Sequence, residues 1–294
     1  MTIWNFGSIN ADHFYDVPHL PAPGETLAAT AYRIGLGGKG ANQSVAAARA
    51  GAEVRHIGAV GQDDAWAIDR LAQYGVKTDH IARVNVATGH AVIYVAASDG
   101  ENSIVIYPGA NAAIELGAVK DALEAAATGD LLLMQNETGV QRAVAEVAKA
   151  RGLRLIYSAA PFDADAVRDV LPYIDTLIVN EVEARQLSAA LDTGINALPV
   201  ANVVVTLGSD GAVWHDIGAG TEARVAAIRV TPVDTTGAGD TFAGYLAAGL
   251  DAGLTVKDAM GRAAAAAALK VTRPGTADAI PSSDDVERFL ATQS

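Results

Sequence analysis

The runs 130–134 (DLLLM), 153–157 (LRLIY), 176–179 (TLIV) and 203–206 (VVVT) are short and almost wholly apolar. Between them lie 139–151 (GVQRAVAEVAKAR), 163–171 (DADAVRDVL) and 181–191 (EVEARQLSAAL), whose apolar residues recur at three and four positions. A strand apolar on both faces must be covered on both, and a strand–helix–strand repeat joins parallel neighbours. This stretch therefore predicts an α/β fold with a parallel sheet between two helical layers. The alternation continues outward, with strands at 3–8 and 54–60 and helices at 40–50, 64–74 and 116–127. It fails in two places. Segments 26–34, 91–95 and 103–107 have period-two patterns, no intervening helix, and Gly or Asp99-Gly100 turns. They predict a small antiparallel sheet standing off the main one as a lid, over about 12–35 and 89–107. Near the end, 240–250, 256–269 and 284–290 read as three successive helices, and the six alanines at 263–268 as a closely packed helical face.

With 294 residues, 50% hydrophobic and 19% charged, the chain can bury a large core, and with no linker or repeat it reads as one domain over 1–294. Lys and Arg number 21 against 34 Asp and Glu, a net charge of -13 that argues against nucleic acid or an anionic membrane as partner. Cysteine is absent, which removes disulfides, thiolate metal sites and a Cys nucleophile. His13, His19, His56, His80, His90 and His215 form no HExxH pattern or close pair, so a catalytic zinc is not expected. The segment MTIWNFGSINAD lacks the basic start of a signal peptide, and no apolar run is long enough for a spanning helix. The expectation is a cytoplasmic protein.

Two glycine-rich segments carry the chemistry. Gly35-Leu36-Gly37-Gly38-Lys39-Gly40-Ala41-Asn42-Gln43 contains a formal G-x-G-x-x-G before the helix at 40–50, with Asp63 further on. The preceding segment is half polar and carries Arg33, unlike the buried strand a dinucleotide turn follows. Lys39 and Asn42 suit a loop that offers donors to a small polar ligand at a helix N-terminus. The second segment is Val233-Asp234-Thr235-Thr236-Gly237-Ala238-Gly239-Asp240-Thr241-Phe242-Ala243-Gly244. Tyr245-Leu246 stands where a Walker A loop needs Lys-Ser/Thr. Gly237, Ala238 and Gly239 nevertheless let backbone N–H groups converge at the positive end of a helix, where charge on a transferring phosphoryl group is stabilised. Asp240 reads equally as a helix cap and as the group that takes a proton from an acceptor hydroxyl.

Both segments resemble the signatures of the ribokinase family of carbohydrate kinases, also called the PfkB family. Gly7-Ser8-Ile9-Asn10-Ala11-Asp12, Pro23-Gly24-Glu25-Thr26, Gly109-Ala110-Asn111, Asn180-Glu181-Val182-Glu183 and Thr206-Leu207-Gly208-Ser209-Asp210-Gly211 fall in family order, so the resemblance spans essentially the whole chain. It implies a ribokinase-like fold: a mostly parallel central sheet flanked by helices on both faces, with a small antiparallel β-sheet lid over the sugar that often also forms a homodimer contact. It implies transfer of the γ-phosphoryl group of ATP to a sugar hydroxyl, for ribose at O5, giving ribose 5-phosphate.

On that resemblance Asp240 is the base, and Gly237, Ala238 and Gly239 form the anion hole. Asn10, Asp12, Gly38, Lys39, Asn42 and Glu137 stand at sugar-contacting positions. Read without the resemblance, Asn10 and Asp12 are turn residues, Lys39 a surface lysine and Glu137 a cap before the next helix. Asn180 and Glu183 match a motif tied to magnesium and phosphate placement, and Thr206, Gly208 and Gly211 a loop that approaches ATP; alone they read as a capping box and a strand-to-turn corner. Asp234, Thr236, Arg273 and Gly275 match positions that bind potassium in many relatives. The chain departs from the pattern at Lys270, which would place an ammonium near that cation, and at Ala279; Ala263 and Ala264 stand where a polar residue often meets adenine. Other acceptors (fructose, a deoxyribose, an adenosine-like nucleoside) remain alternatives, although only 5% of residues are aromatic and little base stacking is offered. The second class is a non-catalytic sugar-binding protein, which has no need of the Gly237–Asp240 run.

Overall fold

In the computed structural model, which describes residues 1–98 and 101–293, the apolar runs assemble into two sheets. Strand β1 (Thr2–Phe6) is followed by β2 (Asn10–Val17), β3 (Ala31–Gly37), α1 (Lys39–Arg49), β4 (Glu53–Gly61), α2 (Ala65–Gln73) and β5 (Lys77–Val84). Strands β6 (Gly89–Ala96) and β7 (Asn102–Tyr107) precede α3 (Leu116–Leu123). Regular alternation then gives β8 (Leu131–Gln135), α4 (Gln141–Ala150), β9 (Arg154–Ser158), α5 (Ala164–Val170), β10 (Thr176–Asn180), α6 (Glu181–Leu191) and β11 (Asn202–Thr206). A hairpin, β12 (Ala212–Asp216) and β13 (Thr221–Val225), leads to α7 (Ala238–Asp251), α8 (Val256–Val271) and α9 (Ser283–Ala291).

The large sheet has the order β13-β12-β11-β10-β9-β8-β1-β4-β5. Its pairings are parallel from β5 to β11 and antiparallel only in the β11–β12–β13 edge. Alternate side chains of the same strands feed two cores. Ile3, Leu131, Leu133, Ile156, Ile178 and Val204 pack towards α1, α7 and α8. Trp4, Phe6, Leu132, Met134, Leu155, Tyr157, Leu177 and Val203 pack towards α3 to α6. The alanine run of α8 is buried at Ala263, Ala265, Ala266 and Ala268, as expected of a face packed without side-chain bulk.

The second sheet has the order β3-β2-β6-β7, with antiparallel β2–β3 and β6–β7 pairings around a parallel β2–β6 contact. It is the lid expected from periodicity, with its first half displaced. The strand expected at 26–34 begins only at Ala31. Its partner β2 ends at Val17, and Pro18, Pro21 and Pro23 have no N–H to extend the ladder, so 26–29 has nothing to pair with. Asn10 and Asp12 lie inside β2 rather than in a turn. The expected Asp99-Gly100 turn lies outside the described residues. Strand β1 stops at Phe6 and helix α3 at Leu123, both short of expectation, while β2, β5, β12 and β13 were not expected as strands. Among the described residues no helix is long and apolar enough to cross a membrane.

Candidate active site

Helix α7 begins where the chain reverses at Gly237, whose φ of 75° favours a residue without a side chain. Gly237 is the N-cap, so Ala238, Gly239 and Asp240 form the first turn, and Asp240 does not cap its own helix. Its buried carboxylate instead crosses to α1. Asn42 Nδ2 donates to Oδ2 at 3.0 Å and Gln43 Nε2 to Oδ1 at 3.1 Å. A carboxylate has about four lone-pair sites, so two neutral donors fix its orientation and leave acceptor capacity for a proton. Ala238 N–H closes a turn on the Thr235 carbonyl at 3.2 Å, and the following amides open from the helix end.

Gln43 belongs to a buried amide chain. Gln135 Nε2, on β8, donates to Gln43 Oε1 at 2.8 Å and to Asn5 Oδ1 at 2.9 Å. Asn5 Nδ2 reaches Gly40 O at 2.7 Å and Ser44 Oγ at 2.8 Å, and Ser44 contacts His56 Nδ1 at 2.8 Å. Burial pushes His56 down to about 4, so the ring is neutral at pH 7. Gln43, Gln135 and Asn5 were given no role in the sequence expectations; Gln43 is marked only by its place beside Asn42 at the end of the first glycine-rich segment, and Gln135 and Asn5 by nothing.

Around Asp240 the expected sugar-contacting residues converge. Glu137 accepts from the Lys39 backbone N–H at 2.9 Å and from the Ser8 hydroxyl. It caps no helix; Val140 precedes α4. The Lys39 side chain is half-buried, and its ammonium is held above its ordinary value first by Asp240, against burial, with help from Glu137 and Glu183. Asn10 Oδ1 accepts from Asn111 Nδ2 at 2.8 Å, and Asn111 Oδ1 accepts from Ile9 N–H at 2.9 Å. Asp12 is 7% exposed and pushed up to about 7, by burial first and then by the negative Glu137. Asn42 Oδ1 is buried and accepts no hydrogen bond within the chain. Gly38 caps α1 beside these groups with a φ of 89°.

On the other side of the α7 terminus lies a cavity of about 640 Å³. Thr206, Gly208 and Gly211 line one end, Ala238 and Gly239 sit at its floor, and Phe242, Ala264, Ala267, Ala268 and Val271 make an apolar slot. Ala264 therefore faces the cavity, whereas Ala263 is buried in the core. The 227–232 segment, which also lines it, was missed for want of any motif. Asn180 and Glu183 do not line this cavity. They form a reciprocal capping box, Glu183 N–H to Asn180 Oδ1 at 2.9 Å and Asn180 N–H to Glu183 Oε2 at 2.7 Å. Glu183 still lies in the field of Lys39 and keeps one carboxylate oxygen outside the box. Among the described residues no cluster of three or more His, Asp or Glu could hold a metal ion. Magnesium fits this setting only as an ion carried mainly by phosphate and water, with Glu183 nearby.

Asp234, Thr236 and Gly275 come together at the loop before α7. Asp234 Oδ1 accepts from Thr236 N–H and Oδ2 from Gly275 N–H, each at 2.9 Å. The Arg273 side chain pairs with Asp285 of α9 at 3.4 Å. A potassium ion does not fit here, because the buried Lys270 ammonium donates to the Asp234 carbonyl at 3.0 Å.

The family model described as "pfkB family carbohydrate kinase" matches residues 2–283. The chain is 38% identical to a ribokinase of Haemophilus influenzae, over 98% of each chain. It is 32% identical to a deoxyribokinase of Salmonella typhi, over 99% of each. Its fold is similar to the structure of Arabidopsis thaliana ribokinase complexed with ribose and ATP, with a TM-score of 0.82, 30% identity, and 98% of each chain covered.

Proposed function

The chain belongs to the pfkB family of carbohydrate kinases, and from that premise we propose that it transfers the γ-phosphoryl group of ATP to O5 of D-ribose, releasing ADP and ribose 5-phosphate. The enzyme is a phosphotransferase with an alcohol acceptor. One observation carries the reading: the helix end whose first turn floors the cavity also presents Asp240 to the polar cluster on its other side. A donor and an acceptor held on opposite sides of one helix terminus meet in line there.

In this reading Asn10, Asp12, Gly38, Lys39, Asn42 and Glu137 bind the sugar hydroxyls. Asp240 orients the O5 hydroxyl and receives its proton as the new O5–phosphorus bond forms and the bond to the β-phosphate bridging oxygen breaks. The Gly237-Ala238-Gly239 turn, in which the Ala238 N–H is engaged with the Thr235 carbonyl and the following amides are open, stabilises charge on the moving group together with the dipole of α7. Lys39 adds a cation on the acceptor side. Thr206, Gly208 and Gly211 approach the phosphates and ribose of ATP, and the Phe242, Ala264 and Ala267 slot takes the base by apolar contact. Magnesium, held by phosphate with Asn180 and Glu183 acting through water, would neutralise phosphate charge. We place the enzyme in the cytoplasm, acting as a homodimer through the lid.

ADP release measured across ribose, deoxyribose, fructose and nucleosides tests the substrate. Ribose should give the highest kcat/KM, and faster turnover of deoxyribose or a nucleoside would reject it. Asp240→Asn keeps the fold and ribose binding in this mechanism but lowers kcat by about two to four orders of magnitude. Near wild-type kcat in that variant would remove Asp240 as the base.

A further inference from the structure

Lysine is rarely buried in full without a partner, because its ammonium is strongly hydrated. Lys270, in the last turn of α8, is nonetheless 0% exposed. Its Nζ donates to the Asp234 carbonyl at 3.0 Å and lies 3.9 Å from Asp234 Oδ1. We infer that this ammonium is the resident cation of the loop from Asp234 to Gly239, so that phosphoryl transfer by this enzyme needs no potassium ion.

The surroundings are built around that charge. The Asp234 carboxylate is tied through Thr236 and Gly275, so it bridges the loop that leads into α7 and the loop that follows α8. The N–H groups of Val233 and Asp234 both donate to the Val271 carbonyl, at 2.7 and 3.1 Å, which seats the loop on the C-terminal end of α8. A fixed positive charge there complements the helix dipole. Burial pulls Lys270 down, while Asp234 and then Asp240 hold it up, so the ammonium feels the carboxylate at the reaction centre as well as its direct partner. Ala279, beside Gly275, contributes no side-chain oxygen. A second cation would have to share the Asp234 carbonyl with an ammonium already bonded to it and would be repelled at short range. Lys270 thus acts as a positioning residue: it touches neither substrate and holds the turn that carries the anion-binding amides.

The test takes wild type, Lys270→Ala and Lys270→Met in tetramethylammonium buffer with magnesium, and titrates potassium, sodium or ammonium chloride at constant ionic strength. The first readout is melting temperature with MgADP present. Wild type should show no potassium-specific change. Lys270→Ala should melt lower and be raised by potassium or ammonium but not by sodium. The second readout is ADP release with ribose, which rests on the kinase reading above. Wild type should turn over equally with and without potassium. In potassium-free buffer Lys270→Ala should lose about tenfold or more in kcat with little change in ribose KM. Potassium should restore part of that loss in Lys270→Ala, and less in Lys270→Met, whose side chain still fills the site. Potassium-specific activation or stabilisation of wild type overturns the inference, as does a Lys270→Ala enzyme equal to wild type without potassium. If neither variant folds, the wild-type titrations alone still decide. If no sugar is phosphorylated under any condition, the kinase reading fails and the melting readout judges Lys270 separately.

Discussion

Asp12 and Asp240 are both buried carboxyl groups, and their surroundings treat them differently. Asp240 has two amide donors, whereas Asp12 faces the negative Glu137. Raised from an ordinary 3.8 to about 7, the folded Asp12 binds a proton more tightly than the unfolded chain does. Stability from this group is therefore fully present below about pH 4 and is lost as pH rises towards 7. Asp12→Asn should make the ligand-free protein more stable at pH 8 by up to about 4 kcal/mol and leave it nearly unchanged at pH 4. Urea unfolding at the two pH values checks this, and an equal effect at both would mean that Asp12 ionises normally. The same variant should raise the KM for ribose about tenfold or more. The sequence offered both residues as candidates but could not separate cap from base at Asp240. An Asp early in a helix suits either role, and only the contact with α1 shows that its oxygens leave their own helix.

Helices α1 and α7 meet through small residues, and that contact sets the distance between Asn42, Gln43 and Asp240. A Cβ added at Gly244 would lie 2.5 Å from the Gln43 carbonyl oxygen and 2.9 Å from the Ala47 nitrogen. Ala gains about 1 kcal/mol of helix propensity over Gly, but the clash is with backbone and cannot be relieved by a rotamer change. Gly244→Ala should therefore destabilise the fold by about 1–3 kcal/mol and lower kcat by separating the two helices. Urea unfolding beside kcat measures both, and an unchanged or stabilised variant would show that the helices tolerate the separation. At this scale the strands and helices of 130–206 were legible because burial on both sheet faces imposes unbroken apolar runs. Strand β2 was not, since Asn10 and Asp12 place buried polar groups where a strand normally carries packing residues.

The lid gives the molecule an exposed edge. Ile104, Val105, Ile106 and Tyr107 of β7 are 49%, 61%, 58% and 48% exposed, an apolar edge strand of the kind that pairs with a second copy. Light scattering on the eluting protein should give a dimer mass, and Ile106→Glu should shift it to a monomer with a raised KM for ribose. A monomeric wild type would remove the lid as the contact. The parallel β2–β6 pairing inside this sheet was not legible, because both strands lie far apart in the chain and periodicity carries no pairing direction.

By itself the sequence determined the α/β class, the two-layer helical cover, and which loops hold small residues at a helix start, because hydrophobic period and glycine placement are local constraints on backbone and burial. Tertiary structure alone decided that Asn42 and Gln43 hold Asp240 and Gln135 holds Gln43, that Asp12 is kept from ionising freely, and that Lys270 closes on the Asp234 carbonyl. These depend on side chains from distant segments meeting where water is excluded. There, a hydrogen bond or a charge is set by its neighbours in space, and sequence order does not record them.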